Sequence, residues 1–241
     1  MVDHLQVAAY YKGEIVLSDE ALRKLTRFKR IALFASVQFI KLEKVLNQLK
    51  DENVGVLTTH GKRTPGKYQL LGCDCSKGSF KDGIFSMVDA ILYIGDGMFH
   101  PKALLLAQGG RKEQKEVFVF DPIAKSIKAV TRKEIEKELK KYKANLVKYM
   151  QAENIGVLIS IKPGQQYLKN ALELKKKSKK NVFLFLDDTF NMQNMENFPF
   201  VDVWVNSACP RIGFDDLINT PRPIININDA FNPERALENV F

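Results

Sequence analysis

The sequence predicts an α/β protein made of two consecutive Rossmann-like parallel-sheet domains. Three observations carry that expectation. Short apolar runs alternate with amphipathic helical segments along the whole chain, the order expected of parallel strands joined by crossover helices. The runs are continuously apolar, as strands covered on both faces are. The length of 241 residues is enough for two domains of ~100 residues each.

The elements follow in order. Residues 1–29 read as an N-terminal extension, with a short strand at 14–17 and a helix capped by Ser18. Asp19 and Glu20 stand in that helix's first turn, and Leu22, Leu25 and Phe28 share a face. Residues 30–125 form the first domain. Strand 31–37 precedes a helix with Leu42, Val45, Leu46 and Leu49 at helical spacing, and strand 54–57 follows. A polar loop at 61–66 contains the turn signal Thr64-Pro65-Gly66. A short strand at 68–71 ends at Gly72-Cys73, a helix spans 82–88 and a strand 90–94. Gly95-Asp96-Gly97-Met98-Phe99-His100-Pro101 reads as a loop, and 117–120 as the last strand.

Residues 126–241 form the second domain. Thr131-Arg132-Lys133-Glu134 fits a capping box, in which a Thr hydroxyl and a Glu carboxylate each satisfy an orphan backbone N–H. Ile135, Leu139, Tyr142, Leu146 and Tyr149 make one helical stripe. Strand 155–161, Lys162-Pro163-Gly164-Gln165, a helix to Lys175, strand 182–186, a short helix at 190–196, strand 201–205 and strand 221–227 follow. Asp229 opens the last helix.

Composition narrows the class. The apolar fraction of 45% and charged fraction of 27% are those of a globular protein. No apolar run approaches the ~20 residues of a membrane span, and Met1-Val2-Asp3-His4 lacks the basic-then-apolar order of a signal peptide. The expectation is a cytoplasmic protein with no membrane association. The three cysteines, Cys73, Cys75 and Cys209, are too few for a disulfide framework. The net charge of +9 is concentrated on Lys-rich helices, around Lys133 to Lys148 and Lys175 to Lys180, with glutamates interleaved as on solvated faces. No RNA-binding aromatic motif accompanies the charge.

The chemistry-bearing residues gather at predicted strand ends, where open parallel sheets collect ligands. Cys73, the 95–100 loop, Gly164-Gln165 and Cys209 all stand there. Each thiol is read either as a buried small hydrophobe or as a metal ligand contributed by a separate domain. Cys73-Asp74-Cys75 is weak evidence of zinc, because no second pair exists and histidine is scarce. Gly95-Asp96-Gly97 lacks the third glycine of a dinucleotide fingerprint, so a turn is the simpler reading; His100 reads as a loop histidine. Arg211, in Ala208-Cys209-Pro210-Arg211, offers a planar fork for a ligand carboxylate or a partner for Asp215 or Asp216. Both readings stand.

Five pieces in order resemble the diphthamide synthase family of radical 3-amino-3-carboxypropyl transferases. They are the apolar strand ending in Val37-Gln38; Leu71-Gly72-Cys73; Tyr93-Ile94-Gly95-Asp96-Gly97 with Phe99-His100-Pro101; Lys162 with Gly164-Gln165; and Ala208-Cys209-Pro210-Arg211 with Asp215-Asp216. The resemblance implies the second and third of three related α/β domains, each giving one cysteine to a 4Fe–4S cluster whose open iron takes S-adenosylmethionine. It implies transfer of a 3-amino-3-carboxypropyl group to a histidine of translation elongation factor 2. Carried over, Cys73 and Cys209 are cluster ligands, Gln38 and Arg211 are candidates for the amino-acid end of S-adenosylmethionine, and Asp96 and His100 shape the site.

The residues before Ile31 are too few for the family's first domain and contain no cysteine. Three explanations stay open. A companion chain supplies a cysteine domain, in a dimer or larger complex; Cys75 substitutes; or the chain is a non-catalytic scaffold of the same pathway.

Overall fold

In a computed structural model of the chain, the described residues are 9–59, 64, 66–80, 83–109, 114–162, 166–215, 220 and 222–239. Those up to Glu134 form one compact unit and those from Ile135 onward a second.

The first unit is built on strands β1 (Arg30–Ala35), β2 (Gly55–Leu57), β3 (Ala90–Ile94), β4 (Val117–Asp121) and β5 (Ser126–Val130). Their order is β2-β1-β3-β4-β5. The first four run parallel, and β5 returns antiparallel to β4. Every residue of β3 is buried, and all of β1 beyond Arg30, as their continuous apolar sequence requires. Helix α1 (Asp19–Leu25) is capped by Ser18, whose hydroxyl accepts from Ala21 N at 3.3 Å. Its Ala21 and Leu25 lie in one core with Leu33, Leu92 and Phe118. Ile15, Leu17, Ala21 and Leu25 thus contribute to this unit's core. Helix α2 (Glu43–Asp51) buries Val45 and Leu49, the stripe read from spacing.

Four local readings differ from the sequence expectation. Residues 14–17 join no ladder among the described residues. The Gln48 amide takes the ladder's place, accepting from Leu17 N at 2.8 Å and donating to Leu17 O at 3.1 Å. Segment 68–71 makes a single bridge, Ala35 to Gln69, instead of a strand. The expected helix at 82–88 is a 3-10 turn over Ile84–Ser86. Helix α3 (Phe99–Ala107) begins inside the expected 95–101 loop. Pro101 is no obstacle, because first-turn N–H groups have no intrahelical acceptor.

The sequence divided the domains at Ser126, yet Ser126 opens β5. Asp121 makes the hairpin: its carboxylate accepts from Ile123 N at 2.8 Å and Ala124 N at 3.0 Å, a side chain mimicking a backbone turn.

The second unit has four parallel strands, β6 (Asn154–Ser160), β7 (Asn181–Asp187), β8 (Val203–Asn206) and β9 (Ile224–Asn226), in the order β7-β6-β8-β9. Helices α4 (Glu136–Gln151), α5 (Leu168–Lys177), α6 (Ile212–Asp215), α7 (Ile227–Ala230) and α8 (Pro233–Asn239) accompany them. The predicted α4 stripe is buried at Leu139, Tyr142, Leu146 and Tyr149. At the capping box, Glu134 accepts from Thr131 N at 3.5 Å. A 3-10 turn at Arg132–Ile135 then precedes α4. The expected short helix at 190–196 is a 3-10 segment, Met192–Asn197. Pro65, Asp82, Pro163, Gly164, Gln165, Asp216 and Pro221 lie outside the described residues.

Both units share one parallel order: second strand, first, third, fourth. Strand order therefore reverses between β1 and β3, and again between β6 and β8. At such points a crevice opens beyond the C-terminal strand ends.

Candidate functional site

In the first unit, the crevice is bounded by the residues leaving β1 and β3. Gln38 is exposed in the 3-10 turn after β1, and its carbonyl accepts from Tyr11 N at 2.8 Å. Cys73 arrives from the β2–β3 crossover. Leu70 N donates to Ala35 O at 2.9 Å, so the Leu71-Gly72-Cys73 turn stands beyond the end of β1. Asp74, 1% exposed, closes the turn: its carboxylate accepts from Leu71 N at 2.9 Å and its own N–H reaches Leu71 O. The Gly72 turn lies directly against Phe99, a half-exposed ring: a Cβ on Gly72 would come 1.9 Å from its Cε1. The family-like loop and the cysteine turn are thus one packed assembly. Cys73 is half-buried, while Cys75 is 5% exposed.

Behind the loop, the Tyr93 ring stacks on His100 with centroids 5.8 Å apart. A Cβ on Gly95 would lie 2.5 Å from the Tyr93 hydroxyl. That hydroxyl faces Ser36, yet neither oxygen makes a hydrogen bond of good geometry among the described residues. Burial pushes the Tyr93 phenol well above its ordinary value; the Ser36 contact opposes this and the nearby Asp96 charge adds to it.

In the second unit, Cys209 follows β8 in a turn built from side-chain amides. Asn206 Nδ2 donates to Cys209 O and to Asn226 Oδ1, both at 2.8 Å. Asn206 Oδ1 accepts from Ala208 N at 3.0 Å. Asn226 Nδ2 donates to Pro210 O at 2.9 Å. Asn226 N in turn donates to the Tyr142 hydroxyl at 2.9 Å, and that hydroxyl donates to Asp229. Burial raises the Asp229 carboxyl above its ordinary value, with the Tyr142 hydrogen bond opposing. Ser207 Oγ ties the turn to β6 through Leu158 O at 2.7 Å.

Arg211 is 3% exposed and forks onto Asp215, with Nε to Oδ2 at 2.7 Å and Nη2 to Oδ1 at 2.8 Å. Of the two roles its sequence context left open, the pair with Asp215 is formed. A cleft of about 320 Å³ opens beside the turn, lined by Ser160, Lys162, Asp188 and Ala208 among others.

The first unit therefore assembles Cys73 with Phe99 and His100, beside Tyr93 and Ser36; the second assembles Cys209 with Arg211 and Asp215. Sequence reasoning missed the roles of Asn206, Asn226, Tyr142 and Asp229. The one available signal was that β8 and β9 both end in asparagine after apolar runs. Among the described residues no three His, Cys, Asp or Glu groups converge. Each unit does present one half-buried thiol at the ligand-binding edge of its sheet, on a turn fixed from behind. Cysteine thiolate is the donor that iron–sulfur clusters use.

Fold and site together define an α/β protein with a repeated parallel sheet and a strand-end cysteine in each repeat. Residues 9–232 match the family model described as "Putative diphthamide synthesis protein", and the chain belongs to that family. It is 31% identical over 209 residues to the 2-(3-amino-3-carboxypropyl)histidine synthase of Pyrococcus horikoshii, covering 85% of this chain and 56% of the relative. It is likewise 31% identical over 201 residues to the enzyme of that name from Methanocaldococcus jannaschii, covering 81% and 49%. The chain thus spans about half the length of these relatives. The crystal structure of Dph2 from Pyrococcus horikoshii superposes with a TM-score of 0.69 at 28% identity, over 91% of this chain and 60% of that one. The same protein with a 4Fe–4S cluster gives 0.68. Among the described residues no helix is long and apolar enough to cross a membrane.

Proposed function

We propose that this chain is the two-thiolate part of a 4Fe–4S, S-adenosylmethionine-dependent transferase. It places a 3-amino-3-carboxypropyl group on a histidine of translation elongation factor 2, in diphthamide biosynthesis. The supporting observation is the repetition: each parallel sheet presents one half-buried cysteine, Cys73 or Cys209, past its C-terminal strand ends.

When bound, the cluster supplies the electron that cleaves S-adenosylmethionine. The chain's own residues do the positioning. Gly72, Phe99 and Asp74 hold the Cys73 turn, and Asn206 and Asn226 hold that of Cys209. The Arg211–Asp215 fork braces the residues just after Cys209. Gln38, exposed at the first crevice, is the more accessible candidate for the donor's amino-acid end; Arg211 is the other. Burial of Cys75 favours a third thiolate from outside these 241 residues, and a companion chain with a cysteine-bearing α/β domain is the source we propose. The cytoplasm keeps such thiols reduced.

Anaerobic reconstitution with iron and sulfide, with and without that companion, tests the reading. The expected result is a 4Fe–4S spectrum with the companion and loss of elongation-factor modification in both Cys73→Ala and Cys209→Ala. Modification that survives both substitutions would leave the chain a scaffold in the same pathway.

A further inference from the structure

We propose that a cavity of about 410 Å³ in the second unit receives the adenine ring of the donor. The inference rests on the reading of S-adenosylmethionine as donor and adds where this chain holds it. The volume lies within the ~300–1,000 Å³ typical of small-molecule sites.

The cavity exists because the connection from β7 to β8 covers the sheet with a 3-10 segment, Met192–Asn197, where a doubly wound fold ordinarily lays an α-helix. Its floor is aromatic. Phe185 packs on Trp204 with centroids 4.7 Å apart and on Phe198 at 4.6 Å. Gly156 lets the indole lie against β6, since a Cβ there would come 2.8 Å from its six-membered ring. A flat π-system stacks on such a floor whatever its substituents.

Polar groups give the cavity its selectivity. Asn191, Asn194 and Asn197 all line it. In a 3-10 helix residues three apart eclipse, so Asn194 and Asn197 stand in one row above the aromatic floor, while Asn191 caps the segment with its Oδ1 accepting from Gln193 N at 3.0 Å. An asparagine amide matches adenine's adjacent N7 acceptor and N6 donor. The Trp204 indole N–H is buried and finds no acceptor among the described residues. It can only donate, and purine ring nitrogens are acceptors. Asp187 is the one charged residue in the lining, and no lysine or arginine is there to call for an anionic ligand.

Position links the cavity to the thiol. Phe190 also lines the 320 Å³ cleft beside Ala208. That cleft gives the ribose and the amino-acid end a route from the aromatic floor to the Cys209 turn.

Trp204 is the chain's single tryptophan, so its emission reports this cavity directly. The whole chain is titrated with 5′-methylthioadenosine, and separately with methionine. A saturable change in emission with the nucleoside alone is expected, and Asn194→Ala, at an exposed position, should weaken it at least tenfold. A silent Trp204, an equal response to methionine, or unchanged affinity in Asn194→Ala overturns the inference. Reconstitution separates the two readings. Cluster formation with a silent Trp204 removes only the adenine site. Asn194-dependent nucleoside binding by a chain that takes up no cluster, even with its companion, keeps the site and removes the transferase reading.

Discussion

Asn206 and Asn226 share a 2.8 Å amide–amide hydrogen bond at the ends of neighbouring strands, and between them hold the carbonyls of Cys209 and Pro210. The thiol's geometry is therefore set by two side chains that are themselves buried, at 1% and 6% exposure. The strand register puts them there, because Asn206 and Asn226 are Cα partners in the β8–β9 ladder.

Replacing Asn226 by Leu leaves Pro210 O without its donor and removes one acceptor of Asn206 Nδ2. Buried polar groups orphaned in this way cost ~1–3 kcal/mol each, so the variant should lose about 2–4 kcal/mol. Urea denaturation measures the loss, and an unchanged midpoint would remove the network from the account of the turn. Bound iron after reconstitution should fall in parallel, since the turn loses its hold at Pro210 O and the Asn206 amide that holds Cys209 O loses its own anchor.

The Arg211–Asp215 pair is asymmetric, with side chains 3% and 28% exposed. Asp215→Asn keeps the shape and removes the carboxylate charge onto which the guanidinium forks. Breaking a fully buried pair costs ~3–5 kcal/mol; the partial exposure of Asp215 lowers the expected loss to about 2–3 kcal/mol. The Arg211→Met, Asp215→Leu double variant should recover most of it. A double variant no better than Asp215→Asn would mean that Arg211 is held by something other than charge.

The parts of the fold legible in the sequence were those governed by local periodicity. The α4 stripe and β3 follow from apolar spacing that no tertiary contact contradicts. Two of the misreadings share a cause: a single polar side chain stood in for backbone. Gln48 replaced a strand partner for Leu17, and Asp121 turned the chain into β5. Neither residue carries a signal that reaches beyond its own neighbours in sequence. At the site, Cys73 and Cys209 were legible because strand ends and turn residues mark them. The amides behind Cys209 were not, because Asn226 lies 17 residues away and meets the thiol's turn only through sheet register.

Gly72 and Phe99 should be energetically coupled. Gly72→Ala brings a methyl group to 1.9 Å from Phe99 Cε1; the half-exposed ring can swing aside, so the expected loss is about 1 kcal/mol, the low end for overpacking. Phe99→Leu makes room, so in the double variant the Ala penalty should shrink by at least half. Additive losses in a double-mutant cycle would mean that the cysteine turn and the α3 start are independent.

Asp229 gives a pH dependence whose sign is fixed by its environment. Its folded pKa is raised above the ordinary 3.8, chiefly by burial. The ionised carboxylate is therefore the form the fold disfavours, and the group's stabilising contribution is fully present below 3.8. It is lost as pH rises through the raised folded value. Asp229→Asn cannot titrate, yet keeps an acceptor for the Tyr142 hydroxyl. The stability of the native chain relative to this variant should therefore increase as pH falls from neutrality toward 4, whatever the remaining carboxylates do to both proteins. Urea midpoints of the two at matched pH values measure the difference. A difference that stays flat, or that moves against the native chain on acidification, would show that Asp229 is not held in the buried contact with Tyr142.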